Sequence, residues 1–194
     1  MRHIDQQTDG YILVALIVGL VDSDLLSVGQ GTHGFCLKNG FDCTVHVGSS
    51  LVSLSSRFKC MDSVNIVFSS LLQPDLVAWS SLITGCSQSG DYDKALFYFR
   101  KLNIEKGKKA DPILISAVLV AAAQSANARF GSEIHGYVVR HGFESNVMVS
   151  STLIDMYSKC GFVSLGIRVF EVMPERSLIS YNSLISGLGL NGLA

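Results

Sequence analysis

Apolar positions recur along the chain at the spacing of one helix face, in short segments that glycine and polar residues separate. Val77–Gln88 shows this pattern, Ser89-Gly90-Asp91 interrupts it, and Tyr92–Ile104 resumes it. A second pair of segments, Val147–Ser158 and Val163–Met173, repeats the arrangement. The pattern predicts pairs of short amphipathic helices, each pair joined by a tight turn.

Two segments are apolar throughout, Tyr11–Val21 and Ile113–Ala123. Both are shorter than the roughly 20 residues that a transmembrane helix needs. The first resembles the apolar part of a signal peptide, but Asp5 and Asp9 stand where a basic lead-in belongs. We therefore predict a buried helix for both segments.

The chain repeats itself without a gap, from Asp9 onward, at an offset of 102 residues. The matching positions are spread over the whole overlap. They include Gly29-x-x-x-His33-Gly34-Phe35 with Gly131-x-x-x-His135-Gly136-Tyr137, Gly40-Phe41 with Gly142-Phe143, and Ser81-Leu82-Ile83 with Ser183-Leu184-Ile185. Self-similarity at a fixed period is the signature of a repeat architecture.

Each 102-residue period divides into three smaller units, which follow a remnant of a preceding unit at residues 1–9. The units are 10–44, 45–75, 76–111, 112–146, 147–177 and 178–194. Each reads as a helical hairpin, the last as only its first half. A hairpin of this length cannot bury its apolar face alone, so neighbouring hairpins must stack. The prediction is an all-α solenoid with a concave and a convex surface.

Two positions within the units indicate packing rather than chemistry. The fourth position carries the large rings of Trp79 and Tyr181, which are expected to wedge between neighbouring helices. The seventh position is aliphatic and is predicted to be core. It is occupied by Leu51, Leu82, Val118, Leu153 and Leu184.

Composition narrows the possible functions. The 194 residues are 48 % apolar and 16 % charged, which argues against disorder. With 15 Lys plus Arg, 16 Asp plus Glu and a net charge of −1, the chain has no bulk positive charge with which to hold nucleic acid. The cysteines are odd in number and form no C-x-x-C pair, so neither a disulfide framework nor a closed zinc site is supported. They are Cys36, Cys43, Cys60, Cys86 and Cys160.

Four segments carry a family resemblance. Val77-Ala-Trp-Ser-Ser-Leu-Ile-Thr-Gly85 and Leu178-Ile-Ser-Tyr-Asn-Ser-Leu-Ile-Ser-Gly187 look like the starts of P repeats. Gly131–Phe143 looks like the second half of an L repeat, and Asp155–Arg176 is characteristic of an S repeat. The chain thus resembles the pentatricopeptide repeat family, in the plant subclass that alternates P, L and S repeats. The order would be L, S, P, L, S, P, and the resemblance implies a right-handed α-solenoid.

The resemblance implies binding of single-stranded RNA, with one base read by each repeat. It assigns the reading to the fifth residue of the first helix and to the last residue of the repeat. The pairs are Val14 with Thr44, Ser49 with Asp75, Ser80 with Asp111, Ser116 with Asn146, and Ser151 with Ser177, while Asn182 is a fifth residue without a closing partner.

By the family pattern these pairs differ in the base that they prefer. Ser49/Asp75 and Ser80/Asp111 would select guanine, Ser116/Asn146 adenine, and Asn182 a pyrimidine. Val14 carries no hydrogen-bonding group, which leaves the first repeat without a polar reader.

The chain departs from the family pattern in two respects. Ser55-Ser-Arg-Phe-Lys-Cys60 replaces the glycine-ended turn of the later S repeat, so the turn between these helices lacks its glycine. The chain also opens in the tail of one repeat and stops at Ala194 within a hairpin, which predicts a partial or shortened gene product. No organelle-targeting leader is readable in residues 1–10.

The remaining candidate residues have structural interpretations. His33 and His135 hold equal positions in two second helices, and repeat symmetry should keep them apart. Lys106, Lys108 and Lys109 form a basic loop that is more typical of a solvated turn than of a phosphate contact. We find no zinc-deaminase signature, no glycine-rich phosphate loop and no G-x-S-x-G motif, and we expect neither a metal nor a cofactor.

The sequence therefore predicts a non-enzymatic RNA-binding protein of organellar RNA processing or modification, which recognises sites of cytidine-to-uridine editing. A mitochondrial location is predicted, with the plastid as the alternative. The expected partners are single-stranded organellar RNA and editing-factor proteins or a deaminase supplied in trans, with no membrane and no small-molecule substrate. Two alternatives stay open: a helical scaffold that binds proteins, and a truncated remnant without function.

Overall fold

The computed structural model describes the backbone of residues 2–21, 25–104 and 110–193, and the side chains of residues 10–21, 25, 27–102 and 110–193. These ranges contain helices and turns and no strand. The chain forms two compact units, Met1–Ser89 and Gly90–Ala194.

The first unit is built from helical hairpins. Its described helices are α1 (Arg2–Val21), α2 (Leu26–Lys38), α3 (Val45–Arg57), α4 (Met61–Ser70) and α5 (Leu76–Gln88). Helix α3 packs between α1 and α5, so these three form a row of first helices. Helix α2 packs on α1, and α4 packs on both α3 and α5. A 3₁₀ turn, Phe41–Cys43, links α2 to α3.

The second unit repeats this arrangement. Its described helices are α6 (Tyr92–Ile104), α7 (Pro112–Gln124), α8 (Ala128–His141), α9 (Val147–Lys159), α10 (Val163–Val172) and α11 (Leu178–Leu190). Helix α9 packs between α7 and α11 to form the row of first helices. Helices α6 and α8 pack on α7, and α10 packs on α9 and α11. The four helices that the apolar spacing predicted are all present, with ends that differ by at most one residue.

The turn that lacks its glycine keeps the shape of the turn that has one. Gly161, between α9 and α10, has a φ of 81°. Lys59 occupies the corresponding position between α3 and α4 and has a φ of 56°. The left-handed region costs a residue with a Cβ roughly 1 kcal/mol or more, so Lys59 is a strained copy of Gly161.

The fourth-position rings pack in the same way in both units. Phe68 meets Trp79 edge-on at a centroid distance of 4.8 Å, and Phe170 meets Tyr181 edge-on at 5.0 Å. Trp79 is 3 % exposed, whereas Tyr181 is 48 % exposed. Both rings therefore contact a neighbouring helix, as the predicted wedging requires, and Tyr181 does so while about half exposed. The seventh-position residues are buried, except that Leu184 is half-buried.

The two apolar segments differ in burial. Ile113–Ala123 lies in α7 and is mostly buried, as predicted. The prediction is wrong for Tyr11–Val21, because α1 buries only the face formed by Leu13, Ile17 and Leu20. Val14 and Val21 are half-buried, and Tyr11, Ile12, Leu16 and Val18 are exposed. Among the described residues, no helix combines the length and the hydropathy needed to cross a bilayer.

Candidate nucleic-acid interface

The predicted closing residues all occupy the N-cap positions of first helices. Thr44 precedes α3, Asp75 precedes α5, Asp111 precedes α7, Asn146 precedes α9 and Ser177 precedes α11. All but Thr44 accept a hydrogen bond from a backbone N–H of the first turn, at distances of 2.7 to 3.4 Å. These side chains therefore satisfy helix termini whether or not they read a base.

Ser49 and Asp75 are brought into direct contact. The Ser49 hydroxyl donates to Asp75 Oδ1 at 2.8 Å, and the same oxygen accepts from the backbone N–H of Ala78 at 2.9 Å. Ser49 is only 2 % exposed, while Asp75 is half-buried. Asp75 is thus the member of the pair that a ligand can reach, and Ser49 holds its carboxylate in place.

The pairs of the units at residues 10–44 and 112–146 lack such a bond. Thr44 Oγ1 donates to the Phe41 carbonyl at 2.8 Å, and Val14 lines a cavity with Thr44. Ser116 Oγ donates to the Pro112 carbonyl of its own helix at 2.9 Å. Asn146 accepts two backbone bonds through Oδ1, and its amide nitrogen makes no hydrogen bond to the described residues.

The pair Ser151/Ser177 of the unit at residues 147–177 also differs from Ser49/Asp75. Ser151 is 2 % exposed, and its hydroxyl donates to the Val147 carbonyl at 2.6 Å. Ser177 forms a capping box with Ser180, in which each side chain bonds the backbone N–H of the other. Asn182 is exposed on α11. The structure brings Ser49 to its predicted partner by a hydrogen bond and does not do so for Ser151.

Of the pair Ser80/Asp111, Ser80 belongs to the first unit and Asp111 to the second. Ser80 lies on α5, and its buried hydroxyl oxygen has no hydrogen-bond partner among the described residues. Asp111 is exposed and caps α7 by accepting from the Leu114 N–H at 2.7 Å. A buried hydroxyl without a partner is costly, so Ser80 is a position where a ligand group would be stabilising.

Sequence reasoning missed a set of exposed side chains, one on each first helix. Each lies three residues before a predicted reader, one helical turn away and on the same side. They are Tyr11, His46, Val77, Ile113, Met148 and Ile179. Five of the six are large and apolar, which is unusual for exposed positions that recur with the repeat. For four of the six, the signal in the sequence is an apolar residue two positions after the helix cap.

The other candidate residues have packing or solvent roles. His135 Nδ1 lies 2.8 Å from Tyr157 Oη. Burial lowers the pKa of His135, and Glu144 opposes this in part. Burial also lowers the pKa of His33, against the opposing charge of Asp42. No group of metal-ligating side chains occurs in the part of the chain that the structure describes.

The thiols are all free. Cys36 and Cys86 are buried, Cys60 and Cys160 half-buried, and Cys43 exposed. Burial raises the pKa of the Cys36 and Cys160 thiols, which disfavours the reactive thiolate. Lys106, Lys108 and Lys109 lie outside the described residues.

The known PPR repeat matches three segments, at residues 77–103, 149–178 and 179–194. The chain carries pentatricopeptide repeats. The first match covers α5 and most of α6, the second covers α9 and α10, and the third lies on α11. The repeat inferred from the motifs is therefore confirmed in these segments, and the alternation of P, L and S repeats stays a prediction.

Relatives extend the likeness over the whole chain. The At1g64310 protein of Arabidopsis thaliana, named as pentatricopeptide repeat-containing, is 45 % identical over 194 residues, which are 100 % of this chain and 35 % of that protein. The chloroplastic pentatricopeptide repeat-containing protein At4g18520 of the same plant is 38 % identical over 98 % of this chain and 30 % of its own length. The chain thus spans about a third of the relatives it matches.

Solved structures confirm the fold. The pentatricopeptide repeat protein PPR10 in complex with an 18-nt psaJ RNA element has a TM-score of 0.68, at 19 % identity, over 94 % of this chain and 30 % of that one. At this identity the likeness establishes an all-α fold of stacked helical hairpins.

Proposed function

We propose that this pentatricopeptide repeat chain binds single-stranded RNA along its rows of first helices, with one nucleotide at each first helix. The observation that carries the proposal is the Ser49–Asp75 pair, in which a buried hydroxyl orients a partly exposed carboxylate at a helix N-terminus. The exposed apolar side chains one turn away offer faces on which bases can pack. A relative in fold, PPR10, is known in complex with RNA.

The hydrogen-bonding groups that stay free in each pair support different bases at different pairs. Asp75 Oδ2 makes no hydrogen bond to the described residues, and a carboxylate only accepts, so it suits the N–H donors of guanine. The free amide nitrogen of Asn146 donates and suits the ring-nitrogen acceptor of adenine. We assign guanine to Ser49/Asp75 and Ser80/Asp111, adenine to Ser116/Asn146 and a pyrimidine to Asn182. We assign no base to Ser151/Ser177.

Selection from a random pool of short single-stranded RNA tests this assignment. The full chain should enrich guanine at two nucleotides, and Asp75→Asn should change one of them toward adenine and leave the others unchanged. Asp62→Asn is the matched control, because Asp62 is an exposed carboxylate on the second helix α4. Affinity in the micromolar range is expected, since few bases are held at roughly 1–3 kcal/mol each before ordering costs. An identical profile for Asp75→Asn contradicts the assignment.

We further propose that the chain acts in an organelle, where it recognises sites of RNA processing or modification without catalysing the reaction. These sites are in particular those of cytidine-to-uridine editing, and the deaminase is supplied in trans. The chloroplastic relative supports an organellar location, with the mitochondrion and the plastid as the two candidates. Disruption of the gene should abolish editing at a small set of organellar cytidines. Unchanged editing at every organellar site contradicts this part of the proposal.

A protein-binding scaffold is the second candidate, and one cavity favours it. Leu153, Leu165 and Val169 line an apolar space of about 200 Å³, with Glu144 and Arg168 beside it. An apolar peptide side chain would fit such a space. Peptide binding that is insensitive to salt and lost on Leu165→Asp, without any RNA binding, would favour the scaffold over the RNA-binding proposal.

A further inference from the structure

A groove lies on the second helices of the second unit, apart from the first helices that are proposed to bind RNA. Its volume is about 590 Å³, within the range of roughly 300–1,000 Å³ that is typical of ligand sites. Phe99 and Arg100 line it from α6, and Glu133, Tyr137 and Arg140 are among the residues that line it from α8. The groove therefore combines aromatic and charged side chains of two neighbouring helices.

The floor of the groove is apolar and closely packed. Phe99, Phe130 and Ile134 are 1 %, 2 % and 3 % exposed, and the two phenylalanine rings meet edge-on at a centroid distance of 6.4 Å. The aliphatic stems of Arg100 and Arg140 add apolar surface to the walls. An apolar side chain suits such a floor, whereas rings that are buried to this extent present no face on which a base could stack.

The rim of the groove carries more positive than negative charge. Two guanidinium groups share the Glu133 carboxylate, with Arg100 Nη2 at 3.5 Å and Arg129 Nε at 3.7 Å. Both distances exceed the roughly 2.7–2.9 Å of a strong charge-assisted hydrogen bond. Arg140 forms no ion pair with the other residues that the structure describes. Three arginines thus accompany one glutamate, in a chain whose net charge is −1.

Packing of the hairpin does not require these charges. At the offset of 102 residues, Arg129 and Glu133 of α8 correspond to Ser27 and Gly31 of α2, neither of which is charged. Helix α2 nevertheless packs on α1 as α8 packs on α7. The charges at the groove are therefore additional to what the fold needs, and they are available to a ligand.

We propose that this groove binds an acidic segment of a partner protein, which places one large apolar side chain on the floor and flanking carboxylates on Arg100 and Arg140. Guanidinium groups bind carboxylates through paired N–H donors. When Arg100 turns to the partner, Arg129 can keep Glu133 paired, so no charge on the rim loses its opposite charge. The inference does not rest on RNA binding. Because its ion pairs are exposed, this binding should weaken with salt, unlike that of the scaffold candidate near Leu165.

Selection from a library of random short peptides tests the chemistry of the ligand. The full chain is immobilised and used for the selection, in parallel with the double variant Arg100→Gln/Arg140→Gln. Peptides that are enriched on the wild type and not on the double variant should carry Asp or Glu beside a Leu, Phe or Trp. A wild-type selection that yields no such group of peptides overturns the proposal.

Titration with one enriched peptide, made with a fluorescent label, measures the contribution of each charge. Arg100→Gln and Arg140→Gln should each weaken binding by about 3-fold, as expected for partly exposed ion pairs. Lys38→Gln is the matched control, because Lys38 corresponds to Arg140 on α2, and it should leave the affinity unchanged. All three residues are exposed, so the helicity and thermal melting of these variants should match the wild type.

A charge exchange shows whether the arginine contacts the peptide. Arg140→Glu should weaken binding of the acidic peptide further, and a peptide with Lys in place of one acidic residue should recover affinity for this variant. Unchanged affinity in both Arg100→Gln and Arg140→Gln, or no recovery with any of the Lys-substituted peptides, overturns the proposal.

Two further measurements separate this groove from the other candidate sites. Leu165→Asp should leave the affinity for the acidic peptide unchanged, and single-stranded RNA should not displace the peptide. Displacement by RNA, together with a loss of RNA affinity in Arg140→Gln, would assign the groove to phosphate contacts and overturn the docking of a protein. A wild type that binds the acidic peptide but no RNA supports the groove and contradicts the function proposed above.

Discussion

Helices α1–α3 of the first unit and α7–α9 of the second correspond at an offset of 102 residues. Both sets enter the last helix through a 3₁₀ turn after a left-handed glycine, Gly40 or Gly142, with φ of 71° and 72°. The side chains on this shared backbone differ, because the first set has Tyr11 and Val14 where the second has Ile113 and Ser116. The comparison teaches that the turn maintains the repeat while the cap and the exposed side chains change.

The largest expected effect comes from exchanging one residue of α3 with its counterpart in α9. A Cβ on Gly48 would lie 2.5 Å from both the Asp42 carbonyl oxygen and Leu71 Cδ2, whereas the Ser150 hydroxyl bonds the Glu144 carbonyl at 2.8 Å. Gly48→Ser should cost about 3 kcal/mol of unfolding free energy, because the clash involves backbone.

The reverse exchange is the control. Ser150→Gly should cost about 1–2 kcal/mol, from one hydrogen bond and a glycine within a helix. Urea unfolding at constant m-value measures both variants. Equal losses would mean that the two sites are packed alike.

The second effect separates the two buried serines. Ser49→Ala removes a hydrogen bond between a hydroxyl and the Asp75 carboxylate and should cost about 1.5 kcal/mol. Ser151→Ala removes only a bond within its own helix, and alanine favours the helix, so its change should stay within about 0.5 kcal/mol. The midpoint of urea unfolding compares them. A larger loss for Ser151→Ala would contradict the assigned bonds.

A third, smaller effect on stability has opposite signs in the turn between α3 and α4 and in the turn between α9 and α10. Lys59→Gly should stabilise the first unit by roughly 0.5–1 kcal/mol, since it relieves a left-handed residue with a Cβ. Gly161→Ala should destabilise the second unit by about 1 kcal/mol. Thermal melting detects both, and destabilisation by Lys59→Gly would show that the lysine side chain contributes more than the strain costs.

The smallest effect concerns pH. Burial lowers the pKa of both His33 and His135, so below the ordinary value of 6.5 the unfolded chain binds protons that the folded chain does not. Stability should therefore fall as the pH decreases through and below about 6.5. His33→Gln and His135→Gln should each flatten this dependence in melting curves. A melting temperature that rises on acidification would contradict the assigned directions.

The helices were predictable because apolar spacing and glycine punctuation are local properties of the chain. The burial of individual side chains was harder to predict, because it depends on which neighbouring helix packs on each face. Trp79 and Tyr181 have the same sequence context and meet equivalent phenylalanines, yet only Trp79 is covered. The two apolar segments that became α1 and α7 read alike in sequence and differ for the same reason.

The candidate site was predictable in position more than in geometry. The family pattern located Asp75 and Ser49, but their hydrogen bond joins two helices and follows only from how α3 packs on α5. The capping role of the closing residues was legible as a short polar residue before each apolar segment. The juxtaposition of Tyr11 and His46 could not be predicted, because the two residues are distant in sequence and line one cavity only in the folded chain.

Because the closing residues occupy N-cap positions, few side chains can replace them without destabilising a helix. Thr44, Asp75, Asp111, Asn146 and Ser177 are drawn from the side chains that terminate helices best. At the four that accept a backbone hydrogen bond, Asp75, Asp111, Asn146 and Ser177, replacement by a residue that cannot accept one would destabilise the following helix by about 1 kcal/mol before any ligand is considered. A change of target at this position is therefore confined to a few substitutions that leave the scaffold intact, and wider retargeting has to proceed through the fifth residues of the first helices.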